Sequence, residues 1–394
     1  MLKKMSNNFR KFAVERSYDF YGLIRQSYNP SFDMKWLLLK ARRIIKAKEK
    51  HKLVGEKTPI DFVVTWVDEN DPKWIAEKKR FENQQSNFQL QYNDVERYRN
   101  WENFRYWFRC VEKNAPWVRR IYLVTCGHVP EWLNLDSPKL RVVRHEDFIP
   151  AEYLPTFNST VIEMNLWRIK ELGEHFVYFN DDMYLGHPVQ KSDFFRRGLP
   201  RLYACLKPSY LADDLTDFHH HLINNIGLIN PIVDLRGVMR DHPEKWFPYR
   251  QEYITRINSL AYEMGYIPGM GYLHACYSLR KSAMGFCAQQ FEEQIHKACL
   301  NRFRTSGDYN LYLYQLWEMV HNTFDPIWDI DRFRYFTNLR INNFEALKKE
   351  MTNSSVRVIC INDHQSIGKE FEDLKKLLLE WFEKLYPEKS SFEK

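Results

Sequence analysis

The sequence of 394 residues lacks the features that mark several protein classes. No apolar run approaches the roughly 18 residues of a transmembrane helix, so none is expected. Lys3 and Lys4 are not followed by an apolar stretch, and we therefore expect no secretory signal peptide. The seven cysteines are an odd number without C-x-x-C spacing, which gives neither a zinc signature nor a disulfide framework. These absences favour a reducing, cytoplasmic setting.

Positive charge is concentrated at one end of the chain. The net charge is +7, yet residues 1–58 alone carry 15 Lys and Arg against 5 Asp and Glu, so the remainder is slightly acidic. We predict a basic, helical N-terminal arm at residues 1–57. Such an arm suits nucleic acid, anionic lipid or an acidic polymer, and a solvated helix face is an equally weighted alternative. Apolar residues such as Trp36 and Leu39 favour a membrane surface or a partner protein over nucleic acid.

Segments rich in β-branched and aromatic residues alternate with helical segments after Pro59. They predict strands at 60–67, 120–125, 140–144, 176–179 and 357–361. The first of these is apolar almost throughout, as in a parallel sheet buried on both faces. We therefore predict an α/β fold with a mostly parallel, Rossmann-like sheet of the glycosyltransferase-A-like kind, flanked by helices. Its site is expected at the carboxyl ends of the strands.

This alternation is interrupted at residues 196–270, which hold many His, Pro and Trp residues. We expect them to form a helical insertion or a lid over the site. Residues 271–325 and 326–350 are also predicted to be helical. The remainder of residues 58–394 is expected to form one domain around the sheet.

Acidic residues follow three of the predicted strands. Asp181 and Asp182 follow the strand at 176–179, Asp68 and Asp71 follow the first strand, and Asp363 follows the last. Each taken alone is more simply a solvated turn. On one sheet with a shared carboxyl edge they would converge, and carboxylates brought together suit a hard divalent ion such as Mg²⁺ or Mn²⁺. The sequence therefore predicts a metal site there.

Two arginines two positions apart, Arg302 and Arg304, offer positive charge for phosphate groups. A guanidinium suits bidentate phosphate recognition, although a helix-surface arginine is the plainer alternative. His274 is a candidate base, because a neutral imidazole can accept a proton near neutral pH.

Four groups of motifs occur in order along residues 59–393. They are Ile60-Asp-Phe-Val-Val-Thr-Trp-Val-Asp68 with Asp71-Pro72; a stretch from Arg97 to Pro188 that contains Ala115-Pro-Trp-Val118, Pro130-Glu-Trp-Leu133, Leu154-Pro-Thr-Phe-Asn-Ser159 and Phe179-Asn-Asp-Asp182; His274 with Arg302-Phe-Arg-Thr-Ser-Gly-Asp308; and Cys360-Ile-Asn-Asp363 with Pro387-Glu-Lys-Ser-Ser-Phe-Glu393. In these motifs the chain resembles the Stealth family of sugar-1-phosphate transferases. That family includes bacterial capsule and exopolysaccharide phosphotransferases and the lysosomal-enzyme GlcNAc-1-phosphotransferase.

The resemblance implies a phosphotransferase of capsular or exopolysaccharide synthesis. Such an enzyme transfers hexose-1-phosphate, with N-acetylhexosamine-1-phosphate as the expected group, from a UDP-sugar donor to a hydroxyl of an oligosaccharide or polysaccharide acceptor. A phosphodiester forms and UMP leaves. Residues 58–394 then correspond to the catalytic Stealth-type domain.

Within that reaction we assign the candidate residues as follows. The metal ligands are Asp181, Asp182 and Asp363; the phosphate contacts are Arg302, Arg304 and Arg105; His274 is the base or a further phosphate contact; Asp68 positions donor or acceptor; Thr65 and Trp66 meet the uridine; and Asn180 lies beside the metal.

Two other functions stay open. A metal-dependent glycosyltransferase would use the same acids but transfer the sugar at carbon. A non-catalytic scaffold of a capsule assembly complex would dock through residues 1–57. We expect no nucleic-acid partner, and we expect the arm to hold the protein against a capsule complex or the inner face of the plasma membrane.

Overall fold

The computed structural model describes residues 31–49, 57–84, 93, 97–209, 216–272, 274–329 and 333–394. Most of the predicted arm therefore lies outside the described residues, and only 31–49 and 57 can be compared with it. Among the helices of the described part, none is long and apolar enough to cross a membrane. All seven cysteines are free thiols.

Strands and helices alternate through most of the chain. The strands are β1 (Asp61–Thr65), β2 (Ile121–Thr125), β3 (Leu140–Arg144), β4 (His175–Phe179), β5 (Met183–Leu185), β6 (Phe195–Arg196), β7 (Leu199–Leu202), β8 (Tyr277–Arg280), β9 (Asp325–Pro326), β10 (Arg334–Asn338) and β11 (Val358–Asn362). The helices are α1 (Phe32–Glu49), α2 (Pro72–Glu82), α3 (Phe104–Asn114), α4 (Ser159–Asn165), α5 (Lys191–Phe194), α6 (Asp217–Ile229), α7 (Leu235–Asp241), α8 (Glu252–Met264), α9 (Lys281–Gln290), α10 (Glu292–Cys299), α11 (Tyr312–Val320), α12 (Phe344–Thr352) and α13 (Phe371–Leu385).

A five-stranded sheet forms the centre of the fold, in the order β3-β2-β1-β4-β8. Strands β1 to β4 are parallel and β8 is antiparallel to β4. The chain builds outward from β1 to β3 and then returns to the other side of β1 with β4. The strand order thus reverses between β1 and β4, and the crevice outside their carboxyl ends is the usual ligand site of such sheets. The predicted mostly parallel α/β fold is confirmed.

The central strand β1 is apolar at Phe62, Val63 and Val64, and its first residue, Asp61, is fully buried. Asp61 accepts hydrogen bonds from Arg119 Nε at 2.7 Å and from the Gly173 amide at 2.8 Å. A buried carboxylate is tolerated only with such partners. At the other end, the Asp71 side chain accepts from Trp74 N at 2.7 Å and caps α2, whose first residue is Pro72.

A second sheet of three strands, in the order β10-β11-β5, lies next to the end of β4. β10 and β11 are parallel, and β5 runs antiparallel to β11. Two expectations are corrected here. Residues 326–350 are not helical throughout, because 334–338 form β10. Asp363 follows a strand of this second sheet and does not share a sheet with Asp68 and Asp182.

The chain divides into two compact units. In one, α1 packs with residues 234–266: it buries Met34, Leu37 and Ala41, and Lys48 Nζ lies 3.0 Å from Glu244 Oε1. The other comprises residues 53–233 and 267–394, so part of the predicted insertion belongs to the unit that holds the sheet. The division at residues 57 and 58 and the insertion at 196–270 stay predictions.

The C-terminal residues are joined to α3 by a buried ion pair. Arg109 donates to Glu393 Oε1 at 2.8 Å and Oε2 at 2.9 Å, and to the Tyr386 carbonyl at 2.7 Å. The Arg109 and Glu393 side chains are 6% and 3% exposed, whereas Glu383, a second partner of Arg109, is 54% exposed.

We expect Glu393→Gln to lower the free energy of unfolding by about 3 kcal/mol, because it removes the buried partner of Arg109 and leaves only the solvated Glu383 to balance its charge. Glu383→Gln is the matched control and should cost less than about 1 kcal/mol, since that carboxylate is solvated. Urea unfolding of both variants measures the difference. Equal, small losses would show that the Arg109–Glu393 pair does not hold the C-terminal segment in place.

Candidate active site

A tight turn places two carboxylates at the carboxyl end of β4. The Asn180 carbonyl accepts from Met183 N at 3.2 Å, so Asp181 and Asp182 occupy the middle of the turn. β5 then follows directly and pairs with β11, and Ile361 N donates to the Asp182 carbonyl at 2.9 Å. The predicted pair of acids is therefore fixed at the point where the two sheets meet.

The Asp182 carboxyl has the electrostatic properties expected of a metal ligand. Burial, together with the charge of Asp181, raises the pKa of Asp182 to about 7. Within the described residues its buried Oδ1 has no hydrogen-bond partner, and the Cys360 thiol lies 3.4 Å from Oδ2. Partial loss of solvent around its carboxyl group raises the pKa of Asp181 to about 6, although the residue as a whole is exposed. A divalent cation fits this site, because it would give Oδ1 a partner and offset the repulsion.

Asp363 approaches this turn from the second sheet. Its charge is close enough to raise the pKa of Asp182. Its own oxygens accept from both arms of the Arg99 guanidinium and from Trp101 Nε1, the Arg99 Nε contact being 2.7 Å and the Trp101 contact 3.0 Å. Glu69, after β1, is acted on by the charges of Arg99 and Asp363 as well. The acidic ends of β4 and β11 are therefore close together although they belong to two sheets, and Glu69 brings the end of β1 near Asp363.

The end of β1 contributes three further candidates. Thr65 Oγ1 lies 2.9 Å from the Tyr178 hydroxyl of β4. Trp66 is half-buried and stacks on Phe104, with ring centroids 5.7 Å apart and planes within 2°. Asp68 N donates to His128 Nε2 at 2.8 Å, and Asp68 Oδ1 accepts from Asn70 N. An aromatic surface and polar groups therefore lie beside the crevice.

Arg304 lies in an interior cluster of charges. Its Nη1 donates to Asp217 Oδ2 at 3.0 Å and its Nη2 to Ser159 Oγ at 2.6 Å. Arg97 donates to the other oxygen of the same carboxylate at 2.9 Å. Burial opposes the ionisation of Asp217, but Arg304 and Arg97 outweigh it and lower its pKa to about 2. One acid thus orients two guanidiniums.

His274 links the arginines to the acids. Burial lowers its pKa to about 4, and the charges of Arg334, Arg97 and Arg304 add to the effect. The imidazole is therefore neutral at physiological pH and able to accept a proton. One ligand atom each of His274, Asp182 and Cys360 lie within 4.8 Å of one another. His274 thus lies beside one candidate metal ligand, Asp182, and within the electrostatic influence of Arg97, Arg304 and Arg334.

Other predicted residues have different surroundings. Arg302 Nη1 donates to the Pro155 carbonyl at 2.7 Å, and its guanidinium lies over the Phe81 ring. Arg105, on α3, lies over the Trp132 ring at 5.7 Å. Both contacts are of the kind that arginines make in ordinary packing.

Several residues of the site were not among those predicted. Asp217 begins α6 inside the predicted insertion, and Arg97 and Glu163 lie in the second motif group without a distinguishing pattern. Ser159 ends the motif Leu154–Ser159, but no role was assigned to it. Burial raises the pKa of Glu163 to about 7, and its Oε1 accepts from the Tyr178 hydroxyl at 3.3 Å. Ser159 and Glu163 are four residues apart and therefore lie on the same face of α4. This spacing indicates a polar helix face, but it does not identify Arg304 and Tyr178 as their partners.

Models of one protein family match three parts of the chain. They are described as Stealth protein conserved region 1, matched at residues 58–86, conserved region 2 at 97–201 and conserved region 4 at 351–394. The matches contain the ends of β1, β4 and β11, where the acidic residues converge.

Curated proteins are similar over most of their length. The capsular polysaccharide phosphotransferase WcwK of Streptococcus pneumoniae is 38% identical over 85% of this chain and 98% of its own. The exopolysaccharide phosphotransferase cps2G of Lactiplantibacillus plantarum is 34% identical over 85% and 96%. The receptor polysaccharide phosphotransferase WefC of Streptococcus oralis is 32% identical over 85% and 99%.

Among solved structures, that of the galactosyltransferase LgtC in complex with donor and acceptor sugar analogues covers 80% of this chain and 95% of its own. The sequence identity is 12% and the TM-score 0.31, which is too low to carry an argument. The sequence identity to the curated phosphotransferases is high enough to show common family membership. Together with the three matched regions, it shows that this chain belongs to the Stealth protein family.

Proposed function

We propose that the protein transfers sugar-1-phosphate from a UDP-sugar to a hydroxyl of a saccharide acceptor in capsular or exopolysaccharide synthesis. The acceptor oxygen bonds to the phosphorus next to the sugar, the bond from that phosphorus to the bridging oxygen breaks, and UMP leaves. The acceptor proton goes to a base on the protein. N-acetylhexosamine-1-phosphate is the group we expect to be transferred.

The observation that supports this proposal most strongly is the group of three guanidiniums whose charges act on His274, those of Arg97, Arg304 and Arg334. A donor with two phosphates carries negative charge that such a group would stabilise. Asp217 and Ser159 already orient Arg304, so little ordering is left to occur during the reaction.

Asp181 and Asp182 would hold a Mg²⁺ or Mn²⁺ ion, with Asp363 as a further predicted ligand. Asp363 Oδ2 accepts from both Arg99 and Trp101, but Oδ1 accepts only from Arg99 among the described residues and has a second lone pair available to an ion. When bound, the ion would neutralise charge on the phosphates.

His274 is the proposed base. Its neutral imidazole lies beside Asp182 and can take the proton of the acceptor hydroxyl as the new bond forms. Thr65, Trp66 and Asp68 border the same crevice and are proposed to position the uridine and the sugars. Arg105 and Arg302 stay predicted phosphate contacts, and Arg302 is compared with Arg304 below.

A contact of the basic arm with a membrane or a capsule complex also stays a prediction. In the described helix α1, Trp36 and Leu39 are more than half exposed, while Lys35, Arg42 and Arg43 are exposed as well. This combination suits an anionic surface, because cations and apolar side chains lie on the solvent side together.

The product distinguishes this function from its alternatives. Incubation with a panel of UDP-sugars, Mg²⁺ and a capsular oligosaccharide should release UMP and yield a phosphodiester signal in the phosphorus spectrum. Asp182→Asn should abolish both, since a metal carboxylate is lost. Release of UDP with a glycosidic bond would instead establish a glycosyltransferase, and no turnover with any donor would favour a scaffold.

Replacing each arginine of the 302–304 segment by lysine tests the phosphate contact. Arg304→Lys keeps the charge but loses the planar fork, and we expect kcat/KM to fall about tenfold or more. Arg302→Lys is the matched substitution two residues away, where the contacts are Pro155 and Phe81. Equal losses in both variants would support the original expectation that both contact phosphate, and no loss in Arg304→Lys would remove it from the site.

The raised pKa of Asp182 predicts a pH-dependent stability in metal-free protein. The unfolded pKa is about 3.9 and the folded value about 7, so ionisation costs stability increasingly between these pH values and fully above them. Asp182→Asn should therefore raise the Tm at pH 8 in EDTA by at least about 2 °C, and by less at pH 5. Asp136→Asn, at an exposed carboxyl, is the control. An unchanged Tm at pH 8 would contradict the burial of this charge.

A further inference from the structure

Three side chains of different chemistry meet beside the candidate site. Asp182 follows β4, His274 precedes β8 and Cys360 lies in β11. One oxygen, nitrogen or sulfur atom of each lies within 4.8 Å of those of the other two. The three elements belong to two sheets, so the juxtaposition depends on the tertiary fold and not on local sequence.

The donor set differs from that of a hard-ion site. Mg²⁺ and Mn²⁺ prefer oxygen, whereas a thiolate with an imidazole and a carboxylate is typical of Zn²⁺. With Zn–S of about 2.3 Å and Zn–O of about 2.0 Å, a tetrahedral ion holds sulfur and oxygen about 3.5 Å apart. Cys360 Sγ and Asp182 Oδ2 are 3.4 Å apart. The thiol donates a hydrogen bond to the carboxylate at this distance, and an ion that replaces the thiol proton would find sulfur and oxygen at the spacing that it needs.

Among the described residues, neither Asp182 Oδ1 nor the His274 ring has a hydrogen bond that would compete with an ion. In the described part of the chain, the buried Asp182 Oδ1 has no hydrogen-bond partner. The contact found for the His274 ring is the Phe336 ring, which meets it edge to face at 5.3 Å. An incoming ion would not have to break a hydrogen bond at Asp182 Oδ1.

We propose that Asp182, His274 and Cys360 form a binding site for Zn²⁺ and that Zn²⁺ bound there inhibits the transferase. The carboxylate and the thiolate together balance the charge of the ion, and the thiol proton passes to solvent on binding. The bound ion therefore adds no net positive charge beside the three nearby guanidiniums. Bound zinc withdraws Asp182 from the activating ion and occupies the nitrogen of His274. The inhibition rests on the proposed function, whereas the binding does not.

Titration of the full chain with Co²⁺ tests the binding without any assay of activity. A Co²⁺–thiolate bond gives an intense near-ultraviolet charge-transfer band, and a tetrahedral site gives strong visible bands. Both should appear in the wild type and be displaced by Zn²⁺. Cys360→Ser should lose the charge-transfer band, and His274→Gln should bind at least about tenfold more weakly, as expected for loss of a ligand.

Cys126→Ser is the matched control. Cys126 also lies beside a histidine, with Sγ 3.5 Å from His128 Nδ1, but this pair is outside the three-residue cluster. Its spectrum should equal that of the wild type. A charge-transfer band that survives Cys360→Ser, or disappears in Cys126→Ser, would overturn the proposal. If Cys360→Ser does not fold by thermal melting, the His274→Gln comparison decides: unchanged Co²⁺ affinity there would overturn it as well.

A final measurement separates this inference from the proposed function. Zn²⁺ should inhibit UMP release in the wild type and in Cys126→Ser with the affinity found in the Co²⁺ competition. Binding without inhibition would overturn the inhibitory part alone. A protein that shows the cobalt bands but no turnover with any UDP-sugar would contradict the proposed function and leave the zinc site established.

Discussion

The structure of the site depends on compensating charges that the sheet brings together at its carboxyl edge. The turn after β4 holds two adjacent carboxylates, and Asp363 adds a third from the second sheet. Arg99 neutralises Asp363, but within the described residues no cation of the protein is paired with Asp182. Asp182 therefore retains a proton near neutral pH or requires a cation. The repulsion that costs stability is the same property that would favour a divalent cation at the proposed site.

The arginine side of the crevice is held by acids that are not themselves expected to react. Asp217 orients Arg97 and Arg304. Asp308 fixes the loop that directly follows Arg304. Asp308 accepts from Asn158, Asn301 and both the amide and the hydroxyl of Thr305, at 2.8–2.9 Å. Four hydrogen bonds to one buried carboxylate hold the segment that follows Arg304 in place, so that its guanidinium would meet the proposed phosphate in a fixed orientation.

The parts of the fold that were predicted from sequence are those with a dominant local signal. The strands β1 to β4 are apolar, β-branched and aromatic, and each was placed within a few residues of its actual bounds. β10 was missed because Arg334-Tyr-Phe-Thr-Asn338 is short and flanked by charged residues, and it becomes a strand by pairing with β11. The pairing partner is distant in sequence, and no local pattern could indicate it.

The residues of the candidate site also divide into those that a local pattern indicates and those that only the tertiary fold brings together. The places of Asp181, Asp182 and Asp363 were predictable because each follows a strand with a clear apolar pattern, β4 or β11. Asp217 was not, since it begins a helix in a region without a recognisable pattern and acts only through arginines 87 or more positions away in sequence. The nearness of Cys360 to Asp182 was hidden for a further reason. β5 follows the turn immediately and pairs antiparallel with β11, which sets Met183 opposite Cys360.

That pairing has a chemical consequence for Asp182. The acids on one side of it belong to a set of oxygen ligands, and the thiol and imidazole on the other belong to a set suited to a softer ion. Both sets include the same carboxyl group, so they cannot be filled at once. Discrimination between the ions then depends on the thiol: while Cys360 holds its proton, the oxygen set is favoured, and a metal that can displace the proton changes the outcome. Burial raises the pKa of the Cys360 thiol well above its usual value, so the proposed oxygen-bound ion would be favoured at neutral pH.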